Sequence, residues 1–181
     1  MQGYMHRNQM KDLRSTAKSV GKVRWVEVGV WRGLSAMAVY DALAPGSTMH
    51  LVDPYDPRYW PDCLKKEARL GDPPFVSLAN AVEEHWVPSK PIHIHRCTSK
   101  EASRRIPFPD IVFIDGSHEY NDVLTDLTAW GHITMRMIMG HDWDIAGVRK
   151  AVIDYCKNPA LNNRWKLIDQ RHDIWYLWLK D

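Results

Sequence analysis

An apolar run that leads into a glycine-containing turn and then into a helical pattern is the feature that most limits how this chain can fold. The run is Val23–Val28, the glycines are Gly29 and Gly33, and the helical pattern extends from Leu34 to Leu43. Glycine lets the backbone of such a turn approach a ligand or a neighbouring strand closely. Strand–turn–helix units of this kind hold a nucleoside cofactor at the carboxyl ends of parallel strands. We therefore predict an α/β sheet with a cofactor site at this turn.

Two acidic residues near the strand ends indicate the type of cofactor. Glu27 lies just before the turn, and Asp53 follows a second predicted strand, Met49–Val52. An acid beside the turn repels a pyrophosphate but suits a cationic amine, and Asp53 can accept hydrogen bonds from both hydroxyls of a ribose. The pair therefore favours S-adenosylmethionine over NAD. The alternative is an ordinary tight turn that binds no ligand.

The other apolar runs predict a mostly parallel sheet that ends in a hairpin. Further strands are predicted at Ile92–His95, Asp110–Ile114, Met135–Met139, Trp165–Ile168 and Ile174–Leu179, and further helices at Tyr4–Val20, Val76–Trp86, Tyr120–Trp130 and Ala146–Cys156. Only residues 169–173 separate the last two strands. Parallel neighbours need a crossover of about a dozen residues, so the final strand should be antiparallel to its neighbour. We predict an α/β, Rossmann-like doubly wound sheet with strand order 3-2-1-4-5-7-6.

No repeat, low-complexity stretch or linker divides the 181 residues, so we expect a single domain over 1–181 with an N-terminal helix within 1–20. The proline-rich segment 54–91 should shape the pocket for the methyl acceptor. Its candidate contacts are Tyr55, Arg58, Tyr59 and Trp60. Because the N-terminal segment is short, a second subunit could complete the site, and a homo-oligomer is one expectation.

The composition argues against several functional classes. A net charge of +2 is too small to indicate binding to nucleic acid or to a membrane surface. No apolar run approaches the roughly 20 residues that span a bilayer. The cysteines Cys63, Cys97 and Cys156 are widely spaced and odd in number, which indicates buried thiols rather than a disulfide framework. Residues 1–18 lack the apolar core of a secretory signal, and we expect a cytoplasmic protein.

Three segments resemble motifs of the class I S-adenosylmethionine-dependent methyltransferases. Val26–Ala36 resembles the first motif, Pro109–Tyr120 with Asp126 resembles the fourth-strand motif, and Gly140–Trp143 with Gly147–Val152 resembles the fifth-strand motif. The likeness is greatest to the branch that holds the caffeoyl-CoA, catechol and macrolide-sugar O-methyltransferases. It covers residues 23–156 in the correct order, and the terminal hairpin agrees with it.

The resemblance implies a set of cofactor contacts at the ends of the strands. They are Glu27, Gly29, Ser35, Asp53, Thr98 and Ser99. Gly33 should let the helix lie close to the strand, and Trp31 could line the cofactor from within the turn. The resemblance also implies that Asp115 and Asp142 face the site of methyl transfer, with Asp115 near the cofactor as well.

The two acids at the transfer site could bind a metal ion. Asp115 and Asp142 each follow a core strand, and their carboxylates can converge on Mg²⁺ or another hard divalent cation. Such an ion would lower the pKa of a bound hydroxyl. Catechol-type relatives carry an amide or a second carboxylate where this chain has Trp143, so His141, His118 or Asp144 would have to supply a further ligand. The alternative is that both acids cap helices or pair with basic side chains.

His118 is the candidate general base, because it lies three residues after Asp115 in the loop over the expected site. An imidazole that titrates near neutral pH can accept the proton of a substrate hydroxyl. A histidine bonded to the loop backbone is the structural alternative. His141, next to Asp142, is the second catalytic candidate. His93 and His95 alternate along a strand and are interpreted as structural.

Together these observations predict an S-adenosylmethionine-dependent O-methyltransferase. Its acceptor would be a hydroxyl of a sugar, glycan or small metabolite, with assistance from a divalent metal as an option. A metal-free enzyme that methylates nitrogen or RNA is the second hypothesis, and a non-catalytic cofactor-binding module is the third.

Overall fold

A computed structural model describes residues 5–60, 62–162 and 164–180 and, except for the side chain of Ile168, their side chains. Its strands are β1 (Arg24–Val28), β2 (Thr48–Val52), β3 (Ile92–His95), β4 (Ile111–Ile114), β5 (Met137–Gly140), β6 (Trp165–Arg171) and β7 (Ile174–Leu179). Its helices are α1 (Arg7–Ser19), α2 (Leu34–Ala42), α3 (Asp62–Glu67), α4 (Pro74–His85), α5 (Ser99–Ser103), α6 (Tyr120–Gly131) and α7 (Ala146–Lys157). A 3₁₀ turn at Pro57–Tyr59 precedes α3.

The strands form one sheet in the order β3-β2-β1-β4-β5-β7-β6. The first five in this order are parallel to their neighbours, and β7 is antiparallel to both β5 and β6. The predicted α/β class, the mixed sheet and the strand order are therefore confirmed. All four residues of β4 are buried, and its sequence is a continuous apolar run, as expected for a strand that is covered on both faces.

Two hydrophobic cores cover the two faces of the sheet. Helices α1, α2 and α4 pack on one face, where Trp25 and Phe113 are fully buried. Helices α5, α6 and α7 pack on the other face, around Trp130 and Trp165. Full burial of each large side chain contributes on the order of 2–3 kcal/mol relative to exposure. The two cores fix the central strands and therefore the positions of the loops at their carboxyl ends.

Several predicted boundaries were wrong. Strand β5 begins at Met137 rather than Met135, and it includes Gly140. Strand β6 continues through Arg171, so residues 172–173 alone form the hairpin turn. The segment 54–91 contains α3 and α4 rather than one helix, and the short helix α5 was missed. Helix α1 begins at Arg7, and the predicted start at Tyr4 lies outside the described residues.

None of the helices within the described ranges is long and apolar enough to span a membrane.

Candidate active site

The candidate site lies where four neighbouring parallel strands end at the same level. Gly29, Asp53, Asp115 and His141 are each the first residue after β1, β2, β4 and β5. Each donates its amide N–H to the carbonyl of the last residue of an adjacent strand. The N···O distances are 2.9 Å for Gly29, 3.2 Å for Asp53, 2.8 Å for Asp115 and 3.1 Å for His141. The strand register therefore aligns these four residues in a row along one edge of the sheet.

Gly29 allows two strand ends to meet. Its φ is +86°, and a Cβ atom built at this position would lie 2.2 Å from the carbonyl oxygen of Asp115. Only glycine combines this backbone conformation with so close an approach. Gly33, at φ +84°, has a similar role at the start of α2, where an added Cβ would lie 2.5 Å from Leu78 on α4. The glycine spacing therefore fits both the turn and the packing of the helix that follows it.

Glu27 is a fully buried carboxylic acid beneath the turn. The hydroxyl of Ser35 donates to its Oε1 at 2.6 Å, whereas Oε2 is buried without a hydrogen-bond partner among the described residues. Burial raises the pKa of Glu27 to about 8, although the Ser35 hydroxyl opposes the shift and the nearby charge of Asp115 adds to it. A buried acid with one free oxygen is suited to receive a cationic ligand.

Asp53 organises the backbone around the turn. Its Oδ2 accepts from the backbone N–H of Trp31 at 3.0 Å, and its Oδ1 accepts from that of Tyr55 at 2.8 Å. Burial raises the pKa of Asp53, and these backbone N–H groups oppose the shift. Trp31 and Tyr55 both have left-handed φ values of 51°, which is unusual for bulky residues. Each carboxylate oxygen keeps a lone pair that a ribose hydroxyl could use.

The segment after β2 is tied back onto the turn. The Trp31 indole N–H and the Arg32 guanidinium both donate to Oε1 of Glu67 on α3, at 3.3 and 3.4 Å. Trp60 packs edge-on against the Trp31 ring, with centroids 4.9 Å apart. The beginning of the segment predicted to form the acceptor pocket therefore lies against the Gly29–Gly33 turn. Sequence reasoning missed Glu67, which has no recognisable motif.

Thr98 and Ser99 begin α5 after the third strand. The Thr98 hydroxyl pairs with Glu101 in a capping box, with the oxygens 2.8 Å apart. Ser99 accepts from the Trp130 indole N–H at 2.9 Å. Burial raises the pKa of the neighbouring Asp126 to about 7, although a hydrogen bond from Ser99 opposes the rise. Both hydroxyls already have protein partners, so any cofactor contact here would involve their remaining hydrogen-bonding capacity.

A cluster of two acids and two histidines follows β4 and β5. His118 Nε2 lies 2.7 Å from Asp142 Oδ2. His141 Nδ1 lies 3.2 Å from Asp142 Oδ1 and 3.4 Å from Asp115 Oδ1. Asp142 has a left-handed φ of 61°, so the chain bends sharply at this residue. Gly147 makes room for the His118 loop, since a Cβ there would lie 2.8 Å from the His118 carbonyl oxygen.

Burial and mutual pairing shift the ionisation of this cluster. Burial would lower the pKa of His141, but Asp115 and Asp142 outweigh it and raise the pKa to about 10. Burial would raise the pKa of Asp142, but His118 and His141 hold it well below its ordinary value. Burial raises the pKa of Asp115, which His141 opposes. The Asp142 hydrogen bond raises the pKa of His118, although burial opposes it.

The donor atoms of the cluster fit a divalent cation. Asp115, His141 and Asp142 each offer one ligand atom, and these atoms all lie within 4.8 Å of one another. His141, His118 and Asp144 are the candidates for a further metal ligand besides the two carboxylates. His141 lies beside both carboxylates, whereas the Asp144 side chain is exposed. Trp143, the departure from the catechol-type pattern, is buried in the core against α6 and α7.

Asp173 is a member of this neighbourhood that sequence reasoning missed. It lies in the two-residue turn between β6 and β7, and its Oδ2 is 3.8 Å from His141 Nε2. Its Oδ1 accepts from the Asp144 backbone N–H at 2.6 Å, and its carbonyl accepts from the Trp143 N–H at 3.1 Å. The terminal hairpin is thereby joined to the loop that carries Asp142.

The chain is similar to known methyltransferases in sequence and in fold. The model of a methyltransferase domain family matches residues 26–143, which include both the turn and the acid–histidine cluster. The chain belongs to this methyltransferase domain family. Its identification from three motifs as a class I S-adenosylmethionine-dependent methyltransferase is thus confirmed. No curated protein matches the sequence.

Solved structures share the fold at low sequence identity. The S-adenosylhomocysteine-bound methyltransferase PaMTH1 from Podospora anserina has a TM-score of 0.70 at 12% identity, with 98% of this chain and 80% of that chain covered. The O-methyltransferase TomG from Streptomyces achromogenes, solved with S-adenosylmethionine, has a TM-score of 0.62 at 15% identity. The match covers 97% of this chain and 80% of TomG. TrmN from Thermus thermophilus gives 0.66 at 15%, and the match covers 99% of this chain but 50% of TrmN. Identities this low establish the fold alone.

Proposed function

We propose that this protein transfers the methyl group of S-adenosylmethionine to a hydroxyl oxygen of a sugar, glycan or other small metabolite. The observation that carries the proposal is the His118–Asp142 pair, with 2.7 Å between Nε2 and Oδ2, on the edge of the sheet that holds the cofactor turn. A histidine oriented by a carboxylate is a suitable proton acceptor for a hydroxyl. TomG, an O-methyltransferase of the same fold, supports the choice of oxygen as the acceptor atom.

The cofactor would bind across the ends of β1 and β2. The free oxygen of buried Glu27 would accept the cationic amino acid portion, and Asp53 would accept the ribose hydroxyls with its remaining lone pairs. Trp31 and the glycines of the turn would border the nucleoside. Ser99 would lie toward its base. This arrangement directs the sulfonium methyl toward the ends of β4 and β5, where the acid–histidine cluster lies.

The proton chemistry follows from the contacts of His118. Because Nε2 donates to Asp142, Nδ1 is left with a lone pair that can take the proton of the acceptor hydroxyl. The hydroxyl oxygen forms a bond to the methyl carbon as the carbon–sulfur bond breaks, and the electron pair of that bond returns to sulfur. The products are the methyl ether and S-adenosylhomocysteine. Asp142 stabilises the imidazolium that forms on His118.

A divalent cation fits the same cluster. Asp115 and Asp142 would hold it, and a bound cation supplies a Lewis acid that lowers the pKa of a coordinated hydroxyl. The protein would direct the two carboxylates toward the cation and would keep His118 beside the acceptor. Half of the His118 side chain is exposed, at 47%, so a substrate can reach it from solvent.

The proposal is tested by replacing His118. His118→Gln should lower kcat on a panel of glycosides and phenols by about 100- to 10,000-fold, because general-base assistance contributes that much. The affinity for S-adenosylmethionine, measured by calorimetry, should change less than about threefold, which is well under 1.4 kcal/mol. His132→Gln, at an exposed position after α6, is the matched control.

Release of S-adenosylhomocysteine with the panel identifies turnover, and mass spectrometry locates the new methyl group. Full activity in His118→Gln would contradict the assignment of the base. Methylation confined to nitrogen acceptors or RNA would overturn the proposal in favour of the second hypothesis. Cofactor binding without transfer to any acceptor would favour a non-catalytic module.

A further inference from the structure

We infer that the cation site at the end of β4 and β5 has a mixed nitrogen–oxygen ligand set and selects a transition ion such as Zn²⁺ or Co²⁺ over Mg²⁺. His141 supplies the nitrogen, and Asp173 of the terminal hairpin is its positioning residue. The inference rests on the proposed function, because it concerns the same site. It adds the identity of the third ligand, the class of ion and a residue from a distant segment of the chain.

The distances within the cluster match the edges of a coordination sphere. His141 Nδ1 lies 3.4 Å from Asp115 Oδ1 and 3.2 Å from Asp142 Oδ1. Ligand atoms that are each about 2.0–2.2 Å from one ion lie about 2.8–3.6 Å from one another. A direct hydrogen bond between a charged imidazole and a carboxylate is shorter, at about 2.7–2.9 Å. The His141 nitrogen is therefore spaced from each carboxylate oxygen as two ligands of one ion would be, and the ligand atoms of the three residues all lie within 4.8 Å of one another.

The chemistry of the donors decides the class of ion. Mg²⁺ prefers an octahedral shell of oxygen atoms and keeps several waters. Imidazole nitrogen favours Zn²⁺ and the other late first-row ions, which also accept carboxylate oxygen. His141 is only 7% exposed and its ring nitrogen faces both acids, so an ion held by the two carboxylates would meet this nitrogen. Three protein ligands leave a position open for a substrate hydroxyl.

Asp173 is placed to orient the ring of His141. If Nδ1 binds an ion, the ring proton must lie on Nε2, which is buried and has no hydrogen-bond partner among the described residues. Among the described residues, Oδ2 of Asp173 is a carboxylate oxygen that faces this nitrogen, at 3.8 Å. Metal-binding histidines usually donate their other N–H to such a group. The left-handed turn at Asp173, with φ 70°, and its bond to the Asp144 N–H hold the carboxylate there.

Metal binding to the purified full chain tests the inference without any activity assay. Co²⁺ is titrated while its visible absorption is recorded, and Zn²⁺ and Mg²⁺ are then measured by their ability to displace it. We expect ligand-field bands that Zn²⁺ abolishes at micromolar concentration and that millimolar Mg²⁺ leaves in place. His141→Asn should abolish the bands, and Asp173→Asn should weaken Zn²⁺ affinity by about 10- to 100-fold.

Asp144→Asn is the matched control, because its exposed side chain lies in the same loop and it should bind Zn²⁺ like the parent. Displacement of Co²⁺ by Mg²⁺ as readily as by Zn²⁺, or unchanged bands in His141→Asn, would overturn the inference. So would a loss in Asp144→Asn equal to that in Asp173→Asn. Circular dichroism confirms that each variant is folded. Metal binding with no methyl transfer would leave this inference standing and contradict the proposed function instead.

Discussion

The hydroxyl of Ser35 donates a 2.6 Å hydrogen bond to Oε1 of Glu27, while Oε2 of the same buried carboxylate has no partner among the described residues. The free protein therefore holds an acid that is only half satisfied. Burial is the main reason that its pKa rises from 4.5 to about 8. In the proposed function this acid would receive the cationic part of the cofactor, at the expense of the stability of the protein without it.

Removing this charge should stabilise the protein at alkaline pH. The folded state binds the Glu27 proton more tightly than the unfolded chain, so stability is lost as pH rises from about 4.5 to about 8. Glu27→Gln should raise the free energy of unfolding at pH 9 by at least about 1 kcal/mol, with little effect at pH 4. Urea unfolding at both pH values measures it.

Glu84→Gln, at an exposed position on α4, is the control for a loss of charge alone. Glu27→Gln should also weaken binding of S-adenosylmethionine at least tenfold. A variant that is neither more stable at pH 9 nor weaker in cofactor binding would contradict the role of Glu27.

Asp53 should be required for cofactor binding. Asp53→Asn replaces one carboxylate oxygen with an NH2 group, which donates and cannot accept, so one backbone N–H and the ribose hydroxyl proposed to donate to that oxygen lose their acceptor. We expect the affinity for S-adenosylmethionine to fall by about 10- to 100-fold, which corresponds to about 1.4–2.7 kcal/mol. Calorimetric titration measures it. Asp56→Asn removes a nearby acid that pairs with exposed Arg58 and should bind as the parent does; equal affinity in both variants would exclude the ribose assignment.

The approach of Gly29 to Asp115 should make this glycine irreplaceable. In Gly29→Ala the new methyl group meets backbone at 2.2 Å, and because backbone cannot move aside easily, we expect a loss of about 3 kcal/mol or more. Gly21→Ala separates the cost of the positive φ from the cost of the contact with Asp115. Gly21 also has a positive φ, of +71°, but an added Cβ meets nothing within 4 Å, so its cost should be near 1 kcal/mol. Thermal unfolding compares them, and equal losses would show that contact with Asp115 is unimportant.

Asp126 should make stability depend on pH in the neutral range. Burial raises its pKa from 3.8 to about 7, so the folded state loses stability as pH rises between these values. Asp126→Asn keeps an oxygen that can accept from Ser99 and removes the charge. It should therefore unfold at a higher temperature than the parent at pH 8 and at the same temperature at pH 4.

The control for this prediction is Asp62→Asn, whose side chain is 98% exposed and should shift stability by less than about 0.5 kcal/mol. An Asp126 variant that is no more stable than the parent at pH 8 would show that burial does not raise the pKa of this acid.

The sequence was sufficient for the sheet because its signals are local. The apolar runs, the turn glycines and the short gap before the last strand each determine an element or a connection on their own. The predicted start of β5 was wrong because the segment Met135–Met139 is mostly apolar. Its sequence therefore does not indicate which residue is the first of the strand. Packing decides it instead: Met135 is 46% exposed, and at Gly140 a Cβ would lie 2.2 Å from the Trp175 ring.

Only some contacts of the candidate site were predictable, for a related reason. Asp115, His118, His141 and Asp142 occur in two recognisable segments, and the ends of neighbouring parallel strands meet at one edge. Which nitrogen would face which carboxylate depends on the left-handed bend at Asp142, which no sequence pattern indicates. Asp173 comes from a hairpin some thirty residues further along the chain, and Glu67 comes from an irregular segment. Contacts of this kind become visible only in three dimensions.

The antiparallel insertion of β7 between β5 and β6 has a consequence for how the site is assembled. Asp173 reaches His141 only when β7 has paired with β5, and this pairing joins residues that are more than thirty positions apart. Pairings of that kind require closure of a long loop before any contact compensates for the lost entropy. A folding intermediate with the parallel strands in place would have the glycine turn and both acids beside Nδ1 of His141, but not Asp173 beside Nε2 of that ring. Spectroscopic signals from that ring would therefore report the completion of the sheet rather than its nucleation.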